Sequence, residues 1–208
     1  MKRNIWFFLV IWGFSLASVY GQGNKQTQFV DAALLTITGK AMPTPFPYHR
    51  VDTSAFIGLS SSENQQARCG AGLAIAFTTN SSFIDVHPVY KWEHKKDNMT
   101  GMAAAGFDLY IKRDKKWVYA GTGAPRVRDS IFRIVSAMDA SEKECLLYLP
   151  LYSEMKSLRI GVHADAAIKA IPNPFKRKVV FFGSSFTQGI SASRPGMSYP
   201  MQLQRKLD

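Results

Sequence analysis

Between Val51 and Ile171 apolar and polar residues alternate in short runs, with the two-residue period of strands. Leu73, Ile75 and Phe77 alternate with small residues, Thr79-Asn-Ser-Ser82 supplies a polar turn, and Phe83 to Tyr90 reads as the returning strand. A second hairpin runs from Phe107 to Lys112, turns at Arg113-Asp-Lys115 and returns over Lys116 to Ala120. Ser130 to Ser136, Glu144 to Leu149 and Ser157 to Val162 are further strands. No helical pattern of ten or more residues interrupts them. Many short strands with regular turn signals predict an antiparallel β-sandwich, jelly-roll-like in type.

The flanks differ. Residues 22–50 read as a loose approach, with an apolar patch from Ala32 to Ile37 followed by Met42-Pro-Thr-Pro-Phe-Pro47, whose alternating prolines favour an extended path and exclude a helix. Past the strand-rich region, Ala170-Ile-Pro-Asn-Pro-Phe-Lys-Arg-Lys178 breaks the rhythm as a linker would. Val179 to Phe182 is then apolar at every position, the pattern of a strand buried on both faces in a parallel sheet. The expected organisation is a β-sandwich over 22–172, a linker over 173–178, and the first strand and helix of an incomplete α/β domain over 179–208. The overall class is mainly β.

Residues 1–21 are set apart by a basic Lys2-Arg3 and an apolar run from Ile5 to Ala17, with small residues near Ser18 and Gly21. That is the layout of a signal peptide cut before Gln22, and the run is short against the roughly 20 apolar residues of a spanning helix. The expected location is periplasmic or extracellular, with membrane contact only through this peptide. Export would permit a disulfide between Cys69 and Cys145, though two separate buried thiols are equally compatible with their strand-like surroundings.

Composition changes this picture little. A hydrophobic content of 46% supports a packed core. The net charge of +11 invites a nucleic-acid reading. The basic residues, however, are scattered through turns such as Lys112-Arg-Asp-Lys-Lys116 and the linker, without a recognition helix or finger spacing, so no nucleic-acid partner is expected. Two sequons, at Asn80 and Asn98, matter only in a glycosylating pathway.

The chemistry concentrates at Gly183-Ser-Ser-Phe-Thr-Gln-Gly189. A tight turn from strand to helix lifts a hydroxyl out at a strand's carboxyl end, where open α/β sheets place their ligands. A serine hydroxyl there needs a neighbouring base to take its proton, while backbone N–H groups at the helix start hold developing negative charge. By itself such a turn suits a phosphate-binding or structural role equally well. His49, His87, His94 and His163 all precede the linker, and none is expected to act as the base.

This stretch resembles block I of the SGNH/GDSL hydrolases, Gly-Asp-Ser-Leu-Thr-x-Gly, with Ser185 at the nucleophile position and Ser184 where many members carry Asp or Asn. The continuation to Pro200 is similar to a bacterial subgroup with an added N-terminal β domain marked by Gly-x-Asp-Leu-Tyr, and this chain carries Gly106-Phe-Asp-Leu-Tyr110. The resemblance covers the chain from about Thr27 onward. It implies a serine esterase acting through an acyl-enzyme on a small acyl ester or an acylated carbohydrate, without metal or organic cofactor. It also implies an oxyanion hole shared between the Ser185 N–H and later blocks, and a His oriented by an Asp beyond Asp208. The 208-residue chain alone is then expected to be inactive. The rival expectation is a non-catalytic module whose sandwich binds glycan or a partner. Phe107 and Leu109 should point inward, placing Asp108 and Tyr110 on the opposite face. There Asp108 pairs with a basic loop and Tyr110 packs, or the two form an open sugar-binding surface. Arg194 either contacts substrate or fixes the loop before the helix that begins over Pro195 to Tyr199.

Overall fold

The computed structural model describes residues 27–94 and 97–207; the expected signal peptide, residues 1–21, lies outside the described residues. Two antiparallel sheets face each other. One has four strands in the order β1 (Thr27–Asp31), β9 (Ser153–His163), β4 (Ile84–Glu93) and β7 (Phe132–Val135). The other runs β10 (Ile168–Ala170), β3 (Ala74–Thr79), β8 (Lys143–Tyr148), β5 (Phe107–Arg113) and β6 (Lys116–Gly123), with β2 (Thr36–Thr38) also on β3. β2 pairs with residues 74–76 and β10 with residues 77–79, so the two short strands share one edge of β3 end to end.

Period-two alternation delivers one side of each strand to a common core. Ile75 and Phe77, Phe107, Leu109 and Ile111, and Cys145 and Leu147 come from one sheet; Val86, Leu158, Ile160 and Val162 come from the other. Burying each such aliphatic or aromatic side chain contributes about 1.5–3 kcal/mol. The β5–β6 hairpin closes through Asp114 and Lys115 at φ of 48° and 65°, a two-residue turn of positive φ whose twist matches the right-handed twist of the paired strands.

The strands expected from Leu73 to Val162 are present, while β1 and β2 come from the stretch that reads as a loose approach and β10 from the end of the strand-rich region, where no strand is expected. Each has few residues and lies at a sheet edge, so its pattern is too short to carry a period. Two short helices also escape that test: α1 (Ser61–Ala67), held by a capping box between Ser60 and Glu63, and α2 (Gly101–Ala105), capped by Thr100.

The outer face of the second sheet is covered as well. Ala74, Ala76, Tyr110, Leu146 and Tyr148 pack there against Phe175 and Met201. Phe175 belongs to the segment expected as a linker, and it is buried. The covering continues through α3 (Ser185–Gln188), a 3-10 turn over Pro195–Met197 and α4 (Tyr199–Lys206). The expected buried strand from Val179 to Phe182 is not formed. Residues 179–182 pair with no strand among those described, and Phe182 is fully exposed. An all-apolar strand becomes buried only between neighbours in a sheet, and none flanks it here.

Cys69 and Cys145 are separate buried free thiols, not a disulfide. Burial pushes each thiol up to about 12, against a partial offset from Arg50 at Cys69 and from Lys143 at Cys145. A thiol reagent at about pH 8 should therefore leave both unmodified in the folded protein and titrate both in denaturant. Because the unfolded chain releases these protons first, stability should fall as pH rises from about 9 towards 12. Urea midpoints across that range should decline less steeply in Cys145→Ala. In the core, Leu147→Ala should cost about 2–5 kcal/mol by denaturant titration, whereas Val118→Ala, at a side chain 45% exposed, should stay within about 0.5 kcal/mol.

Candidate active site

Ser185 is the first residue of α3, and the N–H groups of a helix's first turn have no partner within the helix. Ser184 precedes it in extended conformation and makes no side-chain cap. Gly183 leaves no room for a side chain, since a Cβ there would lie 2.1 Å from Thr187 Oγ1. Gly189 ends α3 at φ 107°, in the left-handed region that glycine occupies without strain. The Ser185 carbonyl accepts hydrogen bonds from the N–H groups of Gly189 and Ile190, both at 2.9 Å, and from the Tyr152 hydroxyl at 3.2 Å.

Further bonds tie this turn to the sandwich. Gln188 Nε2 donates to the Leu151 carbonyl at 3.0 Å and to Gln66 Oε1 at 2.9 Å. Gln66 lies on α1, which is anchored in turn through Arg68, whose Nε lies 3.1 Å from Glu154 Oε2. Glu154 is buried and also meets His49 Nε2 at 3.2 Å and Lys91 Nζ at 3.3 Å. Burial lowers the His49 pKa despite the opposing pull of Glu154. Burial also raises the Tyr152 pKa, which keeps its hydroxyl a donor.

Three of the four histidines are engaged elsewhere. His49 is held by Glu154, His87 Nε2 lies 3.1 Å from the Asp129 carbonyl, and His163 Nδ1 accepts the Asp165 N–H. His94 stacks on Trp92 and on Tyr152, with ring centroids 5.2 and 5.9 Å apart. Among the described residues no group of three or more His, Cys, Asp or Glu converges as metal ligands would.

The Gly106-Phe-Asp-Leu-Tyr110 stretch opens β5, and each residue has a defined place. A Cβ on Gly106 would lie 2.4 Å from the Met102 carbonyl oxygen, so glycine permits the close passage from α2 into β5. Phe107 and Leu109 enter the core. Asp108 and Tyr110 project to the other face, where residues 194–205 cover them. Asp108, with no exposed surface, accepts Arg194 Nη1 at 2.6 Å and the Gly196 N–H at 2.8 Å, both on Oδ2. Arg194 Nη1 also donates to the Tyr110 hydroxyl at 3.0 Å, and the guanidinium lies 4.2 Å from the Tyr119 ring centroid. Burial would lower the Arg194 pKa, but the bonds to Tyr110 and Asp108 outweigh it and the net shift is upward. Gly196 is itself a close approach, since a Cβ would sit 2.7 Å from Asp108 Oδ2.

Arg194 is therefore placed on the sandwich. The Asp108–Tyr110 face is covered by the chain's own later residues, not open to a sugar. Tyr152, Gln66 and Arg205 lie outside the stretches that the sequence singles out. Arg205 Nη2 donates to the Gly196 carbonyl at 2.8 Å and its guanidinium lies 4.0 Å from the Tyr110 ring centroid. The apolar run Cys145-Leu-Leu-Tyr148 of β8 was the one available signal that something covers this face; the contacts of Tyr152 and Gln66 span 33 and 122 residues of sequence and left none.

Comparison with known proteins agrees with this layout. The family model for the Gly-x-Asp-Leu-Tyr N-terminus of SGNH-hydrolase-type esterases matches residues 27–168, and that of the GDSL-like lipase/acylhydrolase family matches residues 176–208. No curated protein matches the chain. A crystal structure from Bacteroides ovatus ATCC 8483, described as a GDSL-like lipase, is 47% identical over 86% of this chain with a TM-score of 0.84. The alignment spans 53% of that protein, so the chain corresponds to about half of its length. The salicylyl-acyltransferase SsfX3 of a tetracycline biosynthetic pathway shares the fold, at 16% identity and a TM-score of 0.53 over 71% of this chain and 42% of that one. With the first model matched over most of its length and the second over the residues around Ser185, the chain belongs to the SGNH/GDSL-type esterases that carry an N-terminal Gly-x-Asp-Leu-Tyr domain.

Proposed function

We propose that this chain carries the nucleophile of an exported SGNH-type ester hydrolase, with acylated carbohydrate, acetyl esters foremost, as its substrate class. The observation that carries the reading is the setting of Ser185. It is half-buried, stands first in α3, and has its carbonyl tied down by Tyr152 and by the turn after the helix. The carbohydrate preference follows the family resemblance, and export follows Lys2-Arg3 and the apolar run behind them.

In the reaction, Ser185 Oγ bonds to the ester carbonyl carbon as its proton passes to a base. The carbonyl π electrons move onto oxygen, and the Ser185 N–H at the start of α3 donates to that oxyanion. Collapse breaks the bond to the alcohol, which leaves with the proton, and the acyl group stays on Ser185. Water then attacks the acyl-enzyme, the acid departs and the hydroxyl is restored. Following the family resemblance, the proposal assigns the base to a His in sequence that follows Asp208.

The test compares hydrolysis of p-nitrophenyl acetate and of a peracetylated sugar by three proteins: residues 22–208, the protein carrying its downstream sequence, and the Ser185→Ala form of the latter. The longer protein should turn over both esters, and Ser185→Ala should lower kcat by about 10³-fold or more. Residues 22–208 should show no turnover above the Ala variant. Equal rates in the longer protein and its Ala form would overturn the assignment.

A further inference from the structure

We propose that the β-sandwich is a positioning element for the nucleophile and acts through two of its side chains, Tyr152 and Asp108. The proposal rests on Ser185 being the nucleophile. It assigns to the Gly-x-Asp-Leu-Tyr motif the work of a socket, with the loop that follows the nucleophile as its plug.

α3 is only four residues long, and residues 179–182 before it pair with no described strand. A turn with so little regular structure takes its position from whatever it touches. Tyr152, itself buried, donates to the carbonyl of Ser185. That bond holds the Ser185 carbonyl, and with it the backbone that carries Oγ and the Ser185 N–H, against the sandwich. The loop from 189 to 198 is pinned at both ends. At its start, Gly189 lies so close to Leu151 that a Cβ would be 2.7 Å from Leu151 Cδ1. At its end, Asp108 takes Arg194 and the Gly196 N–H on one oxygen. Between them, Ser191 Oγ donates to the Asn98 carbonyl at 3.1 Å and Thr100 Oγ1 to the Ser193 carbonyl at 2.8 Å.

Asp108 is well placed for this work because its neighbours Phe107 and Leu109 are fixed in the core, so the carboxylate cannot drift. Charge-assisted bonds to a buried carboxylate are short and directional. Neither Asp108 nor Tyr152 would touch substrate. Loosening either should misplace Ser185 and lower kcat while KM, set by substrate contacts elsewhere, holds.

The test uses the protein carrying its downstream sequence, with Asp108→Asn and Tyr152→Phe. Steady-state hydrolysis of p-nitrophenyl acetate is paired with hydrogen exchange of the backbone amides. Each variant should lower kcat about 10- to 100-fold with KM within about twofold, and exchange should accelerate over residues 185–198 while β3 and β8 keep their protection. Should Asp108→Asn fail to fold, Tyr152→Phe, which removes one hydroxyl and keeps the ring, decides. Unchanged kcat in a parent whose activity depends on Ser185 overturns the positioning role and leaves the nucleophile standing. A parent without Ser185-dependent turnover overturns the nucleophile and this role together. Faster exchange throughout β3 and β8 would reduce the effect to general loss of stability and also overturn it.

Discussion

A carboxylate with no exposed surface joins the sandwich to the segment that carries Ser185. Asp108 is a buried carboxylate, which is costly unless donors compensate it, and both of its compensating donors, Arg194 and the Gly196 N–H, come from beyond the turn at Ser185. Breaking a buried pair by removing one partner typically costs about 3–5 kcal/mol, because the other charge stays behind. The sandwich and residues 185–206 are therefore not independent bodies. Without the later segment, Asp108 would be unpaired and the outer side chains of β3, β5 and β8 would face water. Without the sandwich, α3 would lose its anchors at Tyr152, Gln66 and Leu151.

Much of the fold could be read from period alone. The β5–β6 hairpin and strands β3, β4, β8 and β9 each bury one face in a common core, and that is what alternation records. β3 and β8 carried a second message, since Ala74, Ala76, Leu146 and Tyr148 make them apolar on both faces. That pattern belongs to a strand covered twice, here by the core and by Phe175 and Met201. The same logic applied to residues 179–182 predicted a strand that does not form. Continuous hydrophobicity states that a segment needs neighbours on both sides, but it cannot supply them. Edge strands such as β1 were illegible for the opposite reason: with one hydrogen-bonded neighbour and partial exposure, five residues need no strict pattern.

The site divides along similar lines. Ser185, Gly183 and Gly189 could be picked out because a tight turn into a helix constrains residue type within a few positions. Asp108 and Tyr110 could be placed on the outward face by their phase against Phe107 and Leu109. What lay over that face could not be inferred, because the pairing of residue 108 with 194 and 196 is set by the packing of the whole second sheet. Tyr152 and Gln66 are harder still. Each contributes one polar atom at a distance fixed by backbone several elements away, and nothing local distinguishes them from other surface-capable tyrosines and glutamines.

The same packing explains where some of the chain's excess basic charge is used. Arg194 bonds Asp108 and Tyr110 through Nη1 while its plane rests on Tyr119; Arg205 lies over Tyr110 and reaches the Gly196 carbonyl. A planar, weakly hydrated guanidinium can stack on a ring and donate in its own plane at once, whereas an ammonium offers a compact charge with no plane to stack. Tyr110 thus meets two arginines from the later segment, and a side chain on Gly196 would run into the Asp108 carboxylate and the Tyr110 ring. The Asp and the Tyr of the motif act as one surface: the carboxylate takes Arg194 and the Gly196 N–H, and the tyrosine takes Arg194 on its hydroxyl and Arg205 on its ring.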